Sequence, residues 1–209
     1  MVVNKEKAAL IIVDVQNDFI PGGALAVNEG DQVVPLVNEL QRKFTHVIAT
    51  QDFHPADHGS FAANHPGKNP GEFIELAGLT QILWPVHCVQ GSQGAEFHAD
   101  LNQSQWDAIF QKGKNPKVDS YSGFFDNAQR GDTGLGNYLK SKGIEQVFVC
   151  GLALDYCVKF TAFDAKSLGF ETFLITDATR AVNLSPEDGD RAIAEMKEAG
   201  ITVLTSKDL

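Results

Sequence analysis

Cys157 stands where an apolar strand ends and a helix is predicted to begin. In the stretch VFVCGLALDYCVKF, residues 147–160, an apolar run enters Gly151, crosses a short turn and reaches this cysteine. A helix N-terminus offers unpaired N–H groups and a positive dipole end, and both stabilise a thiolate. The turn GLALD can present backbone N–H groups to an oxyanion. The pattern indicates a nucleophile, although a single cysteine also suits ordinary core packing.

Other reactive residues follow the ends of other predicted strands. Asp14 follows LIIV, Asp52 and His54 follow HVIAT, and Lys114 follows AIFQKG. Ligands of open α/β sheets bind beyond the carboxyl ends of the strands, so we expect these residues and Cys157 at one sheet edge. There Lys114 would lower the pKa of the thiol. Asp14 would either remove the thiol proton or hold Lys114 and the thiol in position, which gives a set suited to acyl transfer.

Asp52 and His54 also form a D-x-H pair that is suited to a divalent metal. Residues two apart in extended chain point the same way, so the carboxylate and the imidazole can share one ion. A third ligand must come from elsewhere. The histidines available for that role are His58, His65, His87 and His98. Cys88 is expected to serve in packing, because adjacent residues of extended chain diverge.

The elements that position these residues repeat one pattern of amphipathic helix, glycine and apolar strand. The three glycines, Gly143, Gly169 and Gly200, stand where a helix C-cap adopts a left-handed conformation. An earlier helix, capped by Asp31 or Asn28, is predicted between AALIIVDV and HVIAT. WDAIFQK is predicted to be a further strand.

Alternating strands and helices predict an α/β fold of three layers. We expect a mainly parallel sheet of six strands, right-handed crossovers and helices on both faces. The near-continuous apolar strands suit a sheet that is covered on both faces. A single domain over residues 1–209 is expected. Its middle region, about 52–105, is too long for a simple connection and is therefore either functional or disordered.

Composition excludes several classes of partner. The 209 residues include 17 basic and 27 acidic side chains, and the formal net charge is −10. Bulk electrostatics therefore disfavour nucleic acid and anionic membranes. No apolar run has the length that a bilayer requires. The first apolar segment is short and contains Asp14, so it is predicted to be a strand and not a signal peptide. Three cysteines, an odd number, favour free thiols in a reducing compartment, the cytoplasm.

Taken together, six segments resemble the nicotinamidase family of isochorismatase-like cysteine hydrolases. In chain order they are DVQNDFIPGGALAV, QDFHPADHGSFA, WPVHCVQGSQGA, KGKNPKVDSYSGFFDN, VCGLALDYCV and LITDATRAV. The resemblance covers nearly the whole chain. It implies hydrolysis of nicotinamide to nicotinate and ammonia through a cysteine thioester, in NAD salvage, with pyrazinamide as a second substrate.

The resemblance also implies roles for particular residues. The triad would be Asp14, Lys114 and Cys157. The remaining implied residues are the metal ligands Asp52, His54 and His87, the oxyanion-binding N–H groups of Ala153 and Cys157, and the aromatic walls Phe19, Trp84 and Tyr121. The metal would be one divalent ion, usually zinc, with iron or manganese as alternatives. A cis peptide bond is expected between Leu152 and Ala153. The oligomeric state is left open.

Two features depart from the family pattern. The nucleophile turn commonly reads GLATDYC, and here Leu154 replaces the threonine, which puts rate or substrate range in question. His58 is the nearest match to a fourth metal ligand, but the spacing is shorter, so it is left out of the metal set. Ser60 is the weaker candidate, acting through water.

Two alternative functions remain. One is another amidase of the superfamily, of the N-carbamoylsarcosine amidase type, and the other is a non-enzymatic metal-binding protein. The D-x-H pair with WPVH favours a pyridine substrate over the first, and the intact triad argues against the second. An isochorismatase needs neither Cys157 nor the metal residues.

Overall fold

A parallel six-stranded sheet forms the centre of the computed structural model, which describes residues 3–209. With strands numbered in chain order, the sheet contains β1 (Ala8–Val13), β2 (His46–Asp52), β5 (Ala108–Lys112), β6 (Gln146–Leu152), β7 (Glu171–Arg180) and β8 (Thr202–Leu204). Their spatial order is β5-β2-β1-β6-β7-β8, and every neighbouring pair is parallel. All residues of β1 are buried, as expected for an apolar strand covered on both faces.

Helices cover both faces of this sheet. They are α1 (Val33–Gln41), α2 (Leu135–Ser141), α3 (Lys159–Ser167) and α4 (Asp188–Glu198). Leu10 and Ile12 of β1 share one core cluster with α1. Ala9 and Ile11, on the opposite face, share the second cluster with α2, α3 and α4. The predicted three-layer α/β fold with a six-stranded sheet is therefore confirmed.

The predicted C-terminal ends of α2, α3 and α4 are confirmed, but the predicted N-terminal cap of α1 is not. Gly143, Gly169 and Gly200 follow α2, α3 and α4 with φ of 70°, 91° and 78°, which is the left-handed conformation predicted for them. The predicted cap of α1 is wrong. Asp31 lies inside a 3₁₀ turn that leads into α1, and the N-cap residue, Gln32, makes no side-chain capping hydrogen bond.

The middle region contains its own small sheet. Strands β3 (Phe73–Leu76) and β4 (Leu79–Ile82) form an antiparallel hairpin. Two short bridges hold the region together, His54 with Val89 and Phe61 with Trp84, and a third pairs Phe97 with Gln16, just beyond the end of β1. The region is therefore folded against the carboxyl edge of the sheet, where a functional site is expected.

None of the helices within residues 3–209 combines the length and the apolar character needed to cross a membrane. The single domain over 1–209 stays a prediction.

Candidate active site and metal centre

Strand register brings the reactive side chains to one edge. Val13 pairs with Thr50 on one side and with Gly151 on the other, so Asp14 emerges just beyond the three central strands. The backbone of Asp14 has φ of 47°, a left-handed conformation that is uncommon for residues with a side chain. The Thr50 hydroxyl donates a hydrogen bond of 2.6 Å to Asp14 Oδ1, which fixes the carboxyl group.

Lys112 connects the groups of this edge. Its Nζ lies 2.9 Å from Asp14 Oδ2 and 3.0 Å from Asp52 Oδ1, and it donates a hydrogen bond of 3.4 Å to Cys157 Sγ. A further hydrogen bond of 3.0 Å goes to the carbonyl oxygen of Ser120. Lys112 is almost completely buried. An ammonium group in such a place needs anionic partners, and two carboxylates supply them.

The prediction of Lys114 as the site lysine is wrong. Lys112 is the last residue of β5 and pairs with Asp52 across the sheet, so its side chain enters the site. Gly113 then turns the chain with φ of 66°, and Lys114 is exposed. The predicted strand WDAIFQK ends at the correct residue, Lys112, but the lysine two residues beyond it was chosen. The signal that was missed is the pairing of the D-x-H strand with WDAIFQK, which places a buried lysine opposite Asp52.

Cys157 lies in a π-helical turn, Leu154–Val158, that leads directly into α3. The peptide bond between Leu152 and Ala153 is cis, as predicted. Leu154 itself is buried in the core cluster with α3 and α4, so its side chain points away from the cavity and not into it.

The pKa of the Cys157 thiol is raised, whereas the sequence predicted that a neighbouring lysine would lower it. Burial raises the pKa of Cys157 well above its ordinary value, while Lys112 lowers it by less and Asp14 raises it further. Burial also raises the pKa of Asp14, against the lowering effect of Lys112 and the Thr50 hydrogen bond. The resting group is therefore a thiol beside a carboxylate of raised basicity, which is the pairing that proton transfer requires.

Asp52, His54 and His87 form a cluster of three buried ligand residues. Asp52 Oδ2 lies 2.9 Å from His54 Nε2 and 3.3 Å from His87 Nε2. The other ring nitrogen of each histidine faces a backbone carbonyl: Nδ1 of His54 lies 2.8 Å from Gly113 O, and Nδ1 of His87 lies 2.8 Å from Pro85 O. Carbonyl groups only accept hydrogen bonds, so each Nδ1 carries a hydrogen, and each Nε2 points at the carboxylate.

Two imidazole nitrogens facing one carboxylate fit a cation. Burial raises the pKa of Asp52, but the charge of protonated His54 and that of Lys112 lower it by more, so the carboxyl group is held well below its usual range and is an anion. Burial lowers the pKa of His54, but Asp52 raises it by more, and a bound cation would take the place of the proton on Nε2 of His54. Two neutral imidazoles and one carboxylate, each oriented by an outer hydrogen bond, are a donor set that divalent metals such as zinc use. These three residues therefore fit the metal that the sequence implied.

The same edge contains a cavity with an empty volume of about 370 Å³, the open solvent at its mouth included. Its lining includes Cys157, the metal residues and the predicted walls Phe19, Trp84 and Tyr121. The Trp84 indole donates a 3.2 Å hydrogen bond to the Tyr121 hydroxyl, and their rings meet edge to face. Ala153 also lines the cavity, beside Cys157.

Four further polar residues at this site were absent from the sequence analysis or set aside in it. Thr50 and Asp119 were not singled out; Asp119 is buried and lines the cavity. His58 is buried with its ring centroid 4.2 Å from that of His54, and burial lowers the pKa of His58 to about 4. Ser60 Oγ lies 2.7 Å from His58 Nδ1. Only the three-dimensional approach of separate loops makes these contacts visible.

The sequence matches the family model of the isochorismatase domain over residues 8–208. The protein therefore belongs to the isochorismatase-domain family. Several of its relatives are nicotinamidases. The nicotinamidase of Escherichia coli K12 is 51% identical over 204 residues, covering 96% of this chain and 95% of the relative. The nicotinamidase/pyrazinamidase of Mycobacterium tuberculosis is 37% identical over 203 residues, covering 95% and 98%.

Similar solved structures also include nicotinamidases and pyrazinamidases. A nicotinamidase–pyrazinamidase of Acinetobacter baumanii is 46% identical with a TM-score of 0.95, and the match covers 99% of both chains. A Pyrococcus horikoshii pyrazinamidase in complex with zinc is 41% identical with a TM-score of 0.78, covering 95% and 99%. An N-carbamoylsarcosine amidase of Thermoplasma acidophilum is less similar, at 26% identity and a TM-score of 0.71 over 97% and 98% of the two chains.

Proposed function

We propose that this protein is an amidohydrolase that converts nicotinamide to nicotinate and ammonia through a thioester on Cys157. The observation that carries the proposal is the position of Lys112, which contacts Asp14, Cys157 and the metal residue Asp52 inside one cavity. The nicotinamidase relatives over nearly the whole chain support the same reaction.

The proposed chemistry begins with a proton transfer. Asp14 accepts the proton of the Cys157 thiol, and the sulfur attacks the amide carbon. Asp14 then passes this proton to the leaving nitrogen, so that ammonia departs and a thioester remains. A water molecule, deprotonated by Asp14, hydrolyses the thioester and restores the thiol. Lys112 stabilises the negative charge as it moves between Asp14 and the sulfur.

Asp52, His54 and His87 would hold one divalent metal, with zinc as the proposed ion and iron or manganese as alternatives. A bound ion supplies a Lewis acid that a pyridine nitrogen can ligate. The zinc-bound pyrazinamidase relative supports this choice. The role of the protein residues is to orient the ring so that its carboxamide faces Cys157.

The roles proposed for the aromatic residues and for the backbone N–H groups follow from their positions in the cavity. Phe19, Trp84 and Tyr121 would enclose the flat pyridine ring, because they line the cavity that the metal residues and Cys157 also line. The N–H groups of Ala153 and Cys157 would bind the oxyanion.

Pyrazinamide is proposed as a second substrate, because its ring nitrogen and carboxamide have the same relative placement as in nicotinamide. The proposed role is recycling of nicotinamide in NAD salvage, in the cytoplasm. The three cysteines are free and buried, which suits a reducing compartment.

A substrate panel tests the substrate class. Purified, metal-loaded protein is incubated with nicotinamide, pyrazinamide and N-carbamoylsarcosine, and the acid products are separated by chromatography. Nicotinate and pyrazinoate should form, and N-carbamoylsarcosine should remain. Turnover of N-carbamoylsarcosine alone would replace the proposal by the carbamoyl-amidase alternative.

A further inference from the structure

Asp119 is a buried carboxylate whose hydrogen-bond donors are both neutral. Its side chain is 3% exposed and lines the same cavity as Cys157. Its oxygens accept two neutral hydrogen bonds of 2.8 Å, from the backbone N–H of Ser120 and from Nε2 of Gln81. No lysine or arginine within residues 3–209 forms a salt bridge with it. An unpaired buried charge is strongly unfavourable, so a cation is expected close by.

Asp119 lies beside the metal residues. Asp119, His54 and His58 bring potential ligand atoms within 4.8 Å of one another. Since Nδ1 of His54 faces the carbonyl of Gly113, Nε2 is the one His54 atom free for a metal. That atom already faces Asp52. The set with Asp119 and the set with Asp52 therefore share one nitrogen and describe one centre, not two.

His58 is neither a cation that pairs with Asp119 nor a ligand of the metal. Its Nδ1 accepts a hydrogen bond of 3.2 Å from the backbone N–H of Ser60, so the neutral ring carries its hydrogen on Nε2. This Nε2 is fully buried and has no hydrogen-bond partner. His58 is therefore a neutral hydrogen-bond donor and not a metal ligand, so it does not balance the carboxylate of Asp119.

We propose that Asp119 is a positioning residue of the metal centre, whose carboxylate lies beside His54 and favours a divalent cation at Asp52, His54 and His87. The inference rests on the metal site of the proposed function. Gln81 keeps the carboxylate in place, and it also donates a 3.2 Å hydrogen bond to the Tyr121 hydroxyl, which joins Asp119 to the cavity wall.

Zn²⁺ affinity, measured by competition with a chromogenic chelator, tests this proposal on the full chain. Asp119→Asn keeps the shape and removes the charge, whereas Asp119→Glu keeps the charge and changes the shape. We expect Asp119→Asn to weaken Zn²⁺ binding by about 10- to 100-fold, as outer partners of metal ligands do. Asp119→Glu should bind Zn²⁺ more tightly than Asp119→Asn. Asp164→Asn, a half-buried carboxylate on α3, is the matched control and should bind like wild type.

Three results would overturn the proposal: unchanged affinity in folded Asp119→Asn, weaker binding by Asp119→Glu than by Asp119→Asn, or an equal loss in Asp164→Asn. His87→Ala separates this failure from failure of the metal site itself. If His87→Ala binds Zn²⁺ as wild type does, the proposed metal site is wrong and the role of Asp119 falls with it. Circular dichroism checks folding, and Asp119→Ser replaces Asp119→Asn if the latter does not fold.

Discussion

Lys112 contacts two buried carboxylates and the thiol of Cys157 at the same time, so its charge governs both stability and reaction. Burial lowers the pKa of Lys112, but the carboxylates of Asp14 and Asp52 raise it by more, and the side chain stays an ammonium. The group is therefore a fixed positive charge and not a proton donor.

The first prediction compares this lysine with its neighbour two residues on. Lys112→Ala should reduce kcat/KM for nicotinamide by roughly 10²-fold or more, since a fixed positive charge at the reacting atoms is lost. It should also destabilise the fold by ~3–5 kcal/mol, because Asp14 and Asp52 lose their buried partner. Lys114→Ala should change neither quantity. Denaturant unfolding and steady-state kinetics measure both. An active Lys112→Ala together with an inactive Lys114→Ala would restore the sequence prediction.

The second prediction concerns the pH dependence of Asp14. As a base it must be ionised, so kcat/KM falls as pH drops through its pKa, which burial raises above the ordinary value. The Thr50 hydroxyl lowers that pKa by bonding the charged form. Thr50→Val should therefore move the acid limb of the profile to higher pH. A limb that stays in place or moves to lower pH would contradict the role of Asp14 as the base.

A second variant tests the role of Asp14 as the base independently of the pH profile. Asp14→Asn should keep the fold and lose about 10²–10⁴-fold in kcat, the range of a general base. Wild-type ammonia release by this variant would show that another group takes the proton.

At the scale of elements, the turn between β6 and α3 depends on a close approach of two strands. Gly151 has φ of 106°, and a Cβ there would overlap the backbone of Val13. The residue that follows Val13 is Asp14, so the same contact sets the distance between base and nucleophile.

The third prediction compares two glycines that both have a positive φ but differ in the atoms around them. Gly151→Ala should lower Tm and abolish most activity, because the β1 backbone must move. Gly143→Ala, at the end of α2, has φ of 70° and open space around the new methyl group, so it should cost roughly 1–2 kcal/mol and leave kcat unchanged. Equal kinetic effects would mean that the strand contact does not position the site.

The elements were largely predictable from the sequence, because their signals are local. The apolar run AALIIV and the glycines after three helices are read directly from neighbouring residues. Lys112 was missed although the predicted strand WDAIFQK ends at it, because its place in the site depends on the pairing of β5 with β2, which no local pattern specifies. Asp119 and Gln81 were missed for a stronger reason: they meet only after the β3–β4 hairpin folds against a distant loop.

At the scale of the whole molecule, metal binding and folding should be coupled. The three ligands come from β2, the segment after it and the loop before Val89, so a bound ion joins distant parts of the chain. A ligand that binds only the folded state stabilises it in proportion to the logarithm of its concentration over Kd.

The fourth prediction is that metal removal lowers Tm. At a zinc concentration about 1,000 times Kd, the folded state should gain about 4 kcal/mol, or roughly 8–16 °C in Tm for a chain of this length. Differential scanning calorimetry with and without chelator measures the shift. His87→Ala should lose the zinc response, and His98→Ala, a histidine outside the ligand set, should keep it. A full response in His87→Ala would contradict the ligand assignment.

Ammonia release from nicotinamide tests the central claim most directly. Wild type, Cys157→Ala and the control Cys150→Ala, a thiol buried within β6, are compared after their folding and metal content have been verified. We predict release by wild type and by Cys150→Ala and none above background by Cys157→Ala. Equal release by wild type and Cys157→Ala would show that the nucleophile is another group, and no release by folded, metal-loaded wild type would show that nicotinamide is not the substrate.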